Sequence, residues 1–413
     1  MINSNGINID NGRIEQLMGN IILKVADTSA TDNALRFYFT IAPTGGSSGG
    51  GDSSGDGGGG DSAIRVFDMS LPQAPNATGC VGTSCVASWN ASNFAGFWYD
   101  FKDNLQSEKL TVNAVTSRSI DGSSPNEDLV YTTTKTFKTL KVVENNKVNG
   151  TDADILKINP SGNGKYPIIG WQTQPYIPVK SDAKKLAKLI IEQGNATSEK
   201  KSLTVGETWD IGDGWTLTAQ SIDAKASPRQ VWLVLSKDGV KKDDKVIGQG
   251  GVYIYIEKSF AGESDVPLFI TYVDSVFAGA TSDIVQLRYT WAISTSFTEV
   301  KSDDVFGNME VTSAGSDTLV LKNKGKSLDL TQDGTVDIMG EMKFKVADNA
   351  TTLRFYPMIL RTEPGTYEVR GSVATGTAFW DAQNFAGFWY DLDYGKSSET
   401  MTINQTPTAR IID

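Results

Sequence analysis

Short runs in which apolar and polar residues alternate are spread along this chain. Apolar side chains take every second position from Leu35 to Ile41, and tyrosine alternates with aliphatic residues from Val252 to Ile256. A period of two is typical of β-strands. Turns rich in Asn, Gly and Asp separate the runs, as in antiparallel β-domains. The pattern predicts an all-β fold of tandem β-sandwich domains, two in each repeat module, with little α-structure.

One segment departs from this period and predicts a single short helix. Ser181-Asp182 has the chemistry of an N-terminal cap, the apolar residues Leu186, Leu189 and Ile190 follow at helical spacing, and Gly194 is a stop signal. We therefore expect a connecting helix over residues 181–195. Lysines decorate it, and we favour a solvated face over a membrane contact because the helix is short.

The octapeptide NFAGFWYD occurs twice, at 93–100 and 384–391, and a tryptophan and a glutamate flank both copies at equal distances. A second set of echoes links Leu35-Arg36-Phe37-Tyr38 to Leu353-Arg354-Phe355-Tyr356. The repeat is too long for a solenoid or propeller, so it indicates a domain-sized module in tandem. The aromatic run has no polar face and predicts a strand covered on both sides, with a bulge or a close backbone approach at Gly96.

The phase of the repeat divides the chain into six parts. They are the tail of a preceding module (1–43), a Gly/Ser/Asp-rich linker or loop (44–62), a first β-sandwich (63–180), the connecting helix (181–195), a second β-sandwich (196–361) and the head of a following module (362–413). One long strand is predicted from Leu129 to Val143. Unpaired strands at a sheet edge attract other strands. We therefore expect the head of one chain to pair with the tail of its neighbour, which makes a homopolymer.

Composition and charge narrow the classes of function. The net charge of −11 argues against a nucleic-acid partner and fits a soluble or cation-attracting surface. The chain has no histidine, which removes the commonest general base and metal ligand. Asp100 and Asp391 recur as a pair of carboxylates, but duplicated positions serve a duplicated scaffold more naturally than one active site. No enzyme activity and no cofactor are predicted.

Several residues are candidates for modification or ligand binding. Six N-glycosylation sequons begin at Asn76, Asn90, Asn149, Asn195, Asn349 and Asn404. Cys80 and Cys85 are the only cysteines, and a short disulfide loop is favoured over free thiols if the compartment is oxidising. Asp52, Asp56 and Asp61 offer oxygen ligands for Ca²⁺, but they match no loop with fixed ligand positions, so a solvated linker is favoured.

The sequons and the cysteine pair together favour an exported protein. The first ten residues have neither a basic region nor an apolar region of the kind found in signal peptides, and no apolar run reaches about 18 residues. We therefore predict no membrane span in this segment and expect any signal or anchor outside it.

Several motifs resemble the S-layer duplication domain in surface proteins of methanogenic archaea. The head motif runs from Tyr367 to Ile403, the middle motif from Gln230 to Val246, and the tail motif from Met339 to Ile359, in the same order as in that domain. The resemblance implies paired β-sandwiches, glycosylation, export and assembly into a protein coat with acidic pores. It implies no catalytic residues.

This chain departs from the usual layout of that family. One whole module is flanked by complementary halves, and Ile64-Arg65-Val66 stands where Glu368-Val369-Arg370 would, after an inserted glycine tract. The departure suggests a sheath or filament subunit.

Two functions therefore compete at the level of sequence. The first is a structural surface protein that self-assembles into an S-layer, sheath or filament and acts as a protective, charge-selective porous barrier outside the cell. The second is an extracellular carbohydrate-binding adhesin that uses exposed tryptophans.

Overall fold

The alternating runs form strands throughout the computed structural model, and the all-β prediction is confirmed. The structure describes residues 7–8, 14–18, 21–25, 36–41, 64–67, 87–125, 127–196, 199–279, 282–361, 370–374, 377–403 and 411–412. The predicted linker 44–62, both cysteines and the sequons at Asn76 and Asn404 lie outside these residues.

The strands fall into five groups along the chain. The first group is β1 (Ile7–Asn8), β2 (Ile14–Met18), β3 (Ile21–Val25) and β4 (Phe37–Ile41). The second is β5 (Ile64–Phe67), β6 (Ala87–Asn90), β7 (Tyr99–Asp100), β8 (Leu105–Gln106), β9 (Glu108–Val112), β10 (Ser119–Ile120) and β11 (Leu129–Thr134).

The third group begins with β12 (Thr136–Thr139), helix α1 (Lys141–Glu144), a 3₁₀ turn (Ile155–Lys157), β13 (Lys165–Trp171), β14 (Gln174–Pro178), a 3₁₀ turn (Val179–Ser181) and β15 (Lys185–Glu192). It continues with β16 (Lys201–Thr204), β17 (Thr208–Gly212), β18 (Trp215–Asp223), β19 (Gln230–Lys237), β20 (Val240–Gly248), β21 (Val252–Phe260), β22 (Glu263–Phe277) and β23 (Ile284–Glu299).

The fourth group is β24 (Val305–Phe306), β25 (Met309–Ala314), β26 (Thr318–Lys322), β27 (Leu328–Asp329), β28 (Thr335–Met339), β29 (Met342–Val346) and β30 (Phe355–Arg361). The fifth is β31 (Ala378–Asp381), β32 (Tyr390–Asp391), β33 (Lys396–Ser397), β34 (Thr400–Ile403) and β35 (Ile411–Ile412).

The second and fourth groups together build one sandwich, which we call the outer sandwich. A six-stranded sheet in the order β24-β25-β26-β11-β9-β6 packs on a four-stranded sheet in the order β28-β29-β30-β5. Apolar residues that alternate along β9, β11 and β26 meet the aromatic residues of β29 and β30 in one buried core. Because the chain leaves this sandwich after β11 and returns at β24, the third group is an insertion.

The third group forms the inserted sandwich. Its larger sheet has eight strands, seven of which follow one another in the order β12-β13-β14-β15-β23-β22-β21. The eighth strand, β16, lies off this path and pairs with β23. A four-stranded sheet in the order β17-β18-β19-β20 contributes Trp215, Leu217 and Leu233 to the shared core. The indole of Trp215 donates to the carbonyl of Ile293 at 2.9 Å, so a fully buried polar atom joins the two sheets.

The two ends of the chain pack on each other and form what we call the terminal domain. Strands β2, β3 and β4 make one sheet, and β31 pairs with β34 in another. Leu23, Val25 and Phe37 from the N-terminal end share a core with Trp380 and Phe385 from the C-terminal end. The tail and the head therefore meet within a single chain.

The connecting helix predicted over residues 181–195 is wrong. This segment contains strand β15, which pairs with β14 on one side and with β23 on the other. Lys180 and Ser181 have φ angles of 51° and 66°, a left-handed conformation that does not start a right-handed helix. A run of apolar residues in a central strand mimics helical spacing, and the pairing with β23 decides the outcome. The one α-helix among the described residues is α1.

The predicted boundary between two consecutive sandwiches is not followed by the sheets. Strand β11 pairs with β26, although they belong to different halves of the predicted split. The single strand predicted from Leu129 to Val143 is also wrong, because it breaks at Lys135 between β11 and β12. The chain passes from the outer to the inserted sandwich at this residue, and local sequence carries no signal for such a crossing.

Candidate functional site

The repeated octapeptide forms a turn that carries aromatic residues into the core, where the sequence predicted a covered strand. The side chain of Asn93 accepts from the backbone N–H of Asn90 at 2.8 Å and donates to the carbonyl of Ser88. Asn384 makes the same two bonds with Asp381 and Phe379. The same local chemistry therefore fixes the same turn twice.

The predicted close approach at Gly96 is confirmed. A Cβ at Gly96 would lie 2.5 Å from the ring of Phe94 and 2.6 Å from Ile359. Phe94 and Phe97 are buried and meet edge to face with ring centroids 4.9 Å apart. Only glycine fits between the ring of Phe94 and Ile359 of β30.

Glu108 joins the octapeptide turn to the inserted sandwich. Its carboxylate is 1% exposed and accepts from Tyr131 Oη at 2.8 Å, from the backbone N–H of Thr173 at 2.7 Å and from the backbone N–H of Trp98 at 3.1 Å. A Cβ at Gly170 would collide with this carboxylate. Burial, reinforced by the charge of Glu108, raises the pKa of the Tyr131 hydroxyl well above its ordinary value.

A second group of charges connects the same two sandwiches. Lys138 Nζ lies 2.6 Å from a carboxylate oxygen of Asp100 and also contacts Glu192, which accepts from Tyr166 Oη at 2.8 Å. Burial favours the neutral amine, but the carboxylates of Glu192 and Asp100 outweigh it and raise the pKa of Lys138. Burial likewise opposes the charge of Asp100, but Lys138 prevails and lowers the pKa of Asp100. Both groups are therefore charged at neutral pH.

These contacts define an interdomain joint between the outer and inserted sandwiches, which we call the first joint. Trp98 adds apolar contact to the core of the inserted sandwich. Lys102 pairs with Glu144 of α1 at 2.7 Å. Asp100 is thus an ion-pair partner inside a joint, which is a structural role for one of the two recurring aspartates.

The second copy of the octapeptide keeps the local geometry, and no sandwich packs over it among the described residues. Glu399 accepts from the backbone N–H of Trp389 at 2.8 Å, as Glu108 does from Trp98. Trp389, however, is 56% exposed, and Glu399 is also exposed. The same sequence is therefore covered once and open once.

The tail and head are joined by backbone and aromatic contacts. The N–H of Phe37 donates to the carbonyl of Ala374 at 3.0 Å, and the N–H of Ala374 donates back to Phe37 at 2.9 Å. Phe37 meets Trp380 at a ring distance of 6.1 Å, and the repeat-related pair Phe355 and Trp89 meets at 6.4 Å. The terminal domain therefore repeats the tail-to-head contact of the outer sandwich.

Two repeat-related arginines connect the terminal domain to the outer sandwich. Arg36 donates through Nε to the carbonyl of Phe101 at 3.1 Å and through Nη2 to that of Lys102. Arg354 donates to the carbonyl of Asp393 at 2.9 Å. Each arginine of a tail thus holds the loop that follows the octapeptide in the other domain, so the two contacts are reciprocal.

The candidate glycosylation sites differ in their surroundings. Asn149 and Asn195 are exposed, and Asn90 and Asn349 are half-buried. The amide Nδ2 of Asn349, the atom that a glycan would use, donates to the carbonyl of Asp393 at 2.9 Å. Asn195 accepts a hydrogen bond from Tyr289 Oη through its Oδ1, and this bond does not involve its Nδ2, the atom that a glycan would use.

Most tryptophans pack inside the sandwiches rather than form a sugar platform. Trp89, Trp215 and Trp380 are fully buried. Trp232 and Trp389 are the exposed ones among the described residues, and they lie on the inserted sandwich and the terminal domain respectively. The adhesin interpretation is not supported.

The described ranges contain no group of three or more His, Cys, Asp or Glu side chains placed to hold a metal ion. The three aspartates suggested for Ca²⁺ lie outside those ranges. None of the helices within the described ranges has the length and apolarity to cross a bilayer.

The sequence pointed to only part of the first joint. Glu108 stood out because a glutamate follows both octapeptides at the same distance. Lys138 and Glu192 were missed, since their partners in the joint are far away in the sequence and no repeat-related position marks them.

Two sandwiches, one inserted in the other and joined by buried ion pairs, define a modular structural β-protein.

Comparison with known proteins agrees with this class. The chain belongs to the S-layer protein family, whose model matches residues 79–348. It is 37% identical over 324 residues to a major S-layer protein of Methanosarcina barkeri, covering 76% of this chain and 45% of that protein. It is 35% identical over 322 residues to the major S-layer protein of Methanosarcina mazei, covering 76% of this chain and 44% of that one. The chain thus spans less than half the length of these relatives.

Proposed function

We propose that this chain is a structural unit of a cell-surface coat that assembles from copies of itself, outside an archaeal cell. The observation that carries the proposal is the set of contacts between the domains: buried ion pairs and reciprocal arginine contacts hold the sandwiches and the terminal domain together. The chain's membership of the S-layer protein family supports the same conclusion. The carboxylates Asp100 and Glu108 serve this network, so the role is structural rather than catalytic.

The coat acts as a protective and charge-selective porous barrier. Its subunit carries a net charge of −11, so pores lined by such subunits attract small cations and repel anions. Glycans on exposed sequons such as Asn149 and Asn195 fit an external surface. The pair Cys80 and Cys85 forms a disulfide in that oxidising environment.

We further propose that neighbouring chains join by head-to-tail completion. Within one chain the tail already finds its complement in the head, through the pairing of β4 with Ala374 and of β1 with β35. A neighbour's head offers the same complement to the same tail. Exchanging one for the other keeps every contact and converts a closed monomer into an open polymer, as in domain swapping.

Cysteine trapping tests the head-to-tail joint. Asn8 and Ile411 lie directly opposite each other in the β1–β35 pair. In a chain with Cys80→Ser and Cys85→Ser, the double variant Asn8→Cys with Ile411→Cys should give a ladder of covalent multimers after assembly. Cross-linked monomers alone, in material that electron microscopy shows to be assembled, would contradict exchange. Asn8→Cys alone is the control, since it should yield no ladder.

Electron microscopy of the purified chain tests the coat itself. A sheet, tube or fibre made of this protein alone supports self-assembly. Dispersed particles at every ionic strength and Ca²⁺ concentration tested would contradict it. This readout does not depend on which contact joins the copies.

A further inference from the structure

The four-stranded sheet of the inserted sandwich has an outer face that carries apolar side chains. Strands β17, β18, β19 and β20 turn alternate residues towards the shared core, and the remaining residues form this outer face. Trp232 and Val246 lie opposite each other on it and are 37% and 60% exposed. Val234, two positions along β19, is half-buried on the same face. We call this surface the Trp232 face, and all of it lies within the described range 199–279.

Hydrogen bonding holds the indole of Trp232 in place on this face. Its Nε1–H donates to Asp244 Oδ2 at 2.8 Å, and Lys241 Nζ lies 2.5 Å from the other oxygen of Asp244. Because the N–H is satisfied within the sheet, a partner can cover the ring without leaving a buried donor unpaired. A tryptophan already held in one orientation also loses little freedom on binding, so Trp232 is suited to anchor an interface.

Short hydroxyl side chains surround the apolar patch. Thr208 faces Thr218 across β17 and β18, with their hydroxyl oxygens 2.8 Å apart. Thr216 faces Ser236 across β18 and β19. Side chains of this length have little rotamer entropy to lose when they are covered. The Trp232 face can therefore be buried at a low entropic cost.

The charge of this sheet favours a second copy of the chain as the occupant. The chain as a whole carries a net charge of −11, so copies repel each other where their acidic surfaces meet. Within the four strands, however, four lysines balance four aspartates. They are Lys237, Lys241, Lys242, Lys245, Asp210, Asp223, Asp243 and Asp244. Two copies can bring this sheet together without opposing net charges.

The area of the face suits a contact that is repeated many times in an assembly. With strands about 4.8 Å apart and a rise of about 3.4 Å per residue, the four strands cover roughly 500 Å². Two copies would then bury about 1,000 Å² in total, which is at the lower limit for a specific interface. Such a contact is weak in an isolated pair and gains strength when neighbouring contacts hold the same copies.

We propose that the Trp232 face is a two-fold docking site, at which the inserted sandwiches of two copies pack sheet against sheet. The two-fold axis passes through the apolar patch, so Trp232 of each copy meets Val246 of the other. The proposal rests on the proposed function, because it presupposes a protein that assembles with itself. Head-to-tail joints extend in one direction and make a line. A contact through the inserted sandwich leaves the terminal domain free for those joints and links neighbouring lines.

Two matched lysine substitutions test the docking site. Val246→Lys places a charge in the apolar patch, and we expect the dissociation constant of the two-fold contact to rise about tenfold or more. Val240 is 63% exposed in the same strand but pairs with Lys237, which alternation places on the other side of the sheet. Val240→Lys should therefore leave the constant unchanged. Equal effects of the two changes in sedimentation, or no association of the unsubstituted chain, would overturn the proposal.

Cross-linking identifies the residues that meet. In the Cys80→Ser, Cys85→Ser background, Val246→Cys should form a covalent dimer through a short bismaleimide, with the link mapped from residue 246 to residue 246. Val240→Cys should form none. A link from residue 246 to any other position, or no link in associated material, would refute the two-fold site.

A glycan of a neighbouring copy is the competing occupant, since a tryptophan beside hydroxyl groups can also contact sugar. Chain produced in a host that adds no glycans should still associate through the Trp232 face. Association that requires the glycosylated chain would overturn the proposal in favour of the glycan. Assembly and the Asn8–Ile411 ladder would persist if the Trp232 face fails, so failure of this inference is separable from failure of the proposed function.

Discussion

Changing Glu108 to glutamine is the most direct test of the first joint. The two backbone donors of Trp98 and Thr173 point at different oxygens of the carboxylate. Glutamine has one oxygen and one NH₂ group, so one of these N–H groups must face another donor. A buried unsatisfied donor costs about 1–3 kcal/mol, and the remaining bonds lose the benefit of a charged acceptor. We expect Glu108→Gln to destabilise the protein by about 2–4 kcal/mol.

The repeat provides the matched control. Glu399→Gln makes the same change at the open copy, where the exposed side chain can turn its oxygen towards the N–H of Trp389. A surface change of this kind stays within about 0.5 kcal/mol.

Calorimetry of the two variants decides between them. For domains of this size 1 kcal/mol corresponds to about 2 °C, so Glu108→Gln should lower the Tm of the corresponding transition by about 4–8 °C. Glu399→Gln should leave every Tm within about 1 °C. Equal shifts in the two variants would refute the idea that covering by the inserted sandwich makes Glu108 important.

Four further predictions concern pH, packing, modification and permeation. The pKa of Asp100 in the folded protein lies below 3.8, so the stability that Asp100 contributes should be present above pH 3.8 and be lost as the pH falls below that value. The pKa of Lys138 is raised, so the stability that Lys138 contributes should be present below pH 10.5 and be lost as the pH rises above that value. Unfolding against pH, compared with Asp100→Asn, checks both limbs. Gly96→Ala should cost about 1–3 kcal/mol in urea unfolding, because the new methyl group meets an aromatic ring. Glycopeptide mass spectrometry should find Asn149 occupied and Asn349 unoccupied, since the amide of Asn349 is already bonded. Small cations should cross the assembled coat faster than anions of equal size, with a preference that fades above about 0.15 M salt, where the screening length is about 8 Å; equal rates at low salt would contradict it.

The sequence alone determined the repeat and most of its local structure. Alternating runs became strands, the two equal octapeptides took the same conformation, although it is a turn and not the predicted strand, and Gly96 proved to be a point of close approach. These features depend on side chains within a few residues of one another. Their physical causes, period-two burial, asparagine turns and a missing Cβ, can be seen in a short stretch of sequence.

Only the tertiary structure decided how these pieces combine. The segment predicted as a helix became β15 because strand β23, about 100 residues further on, pairs with it along its length. The break at Lys135, the insertion of one sandwich into the other, and the closing of the tail on the head all follow from pairings between distant strands. Lys138 joined Asp100 and Glu192 for the same reason. Hydrogen bonding between strands and burial of charge depend on which residues meet in space, and the local pattern does not contain that information.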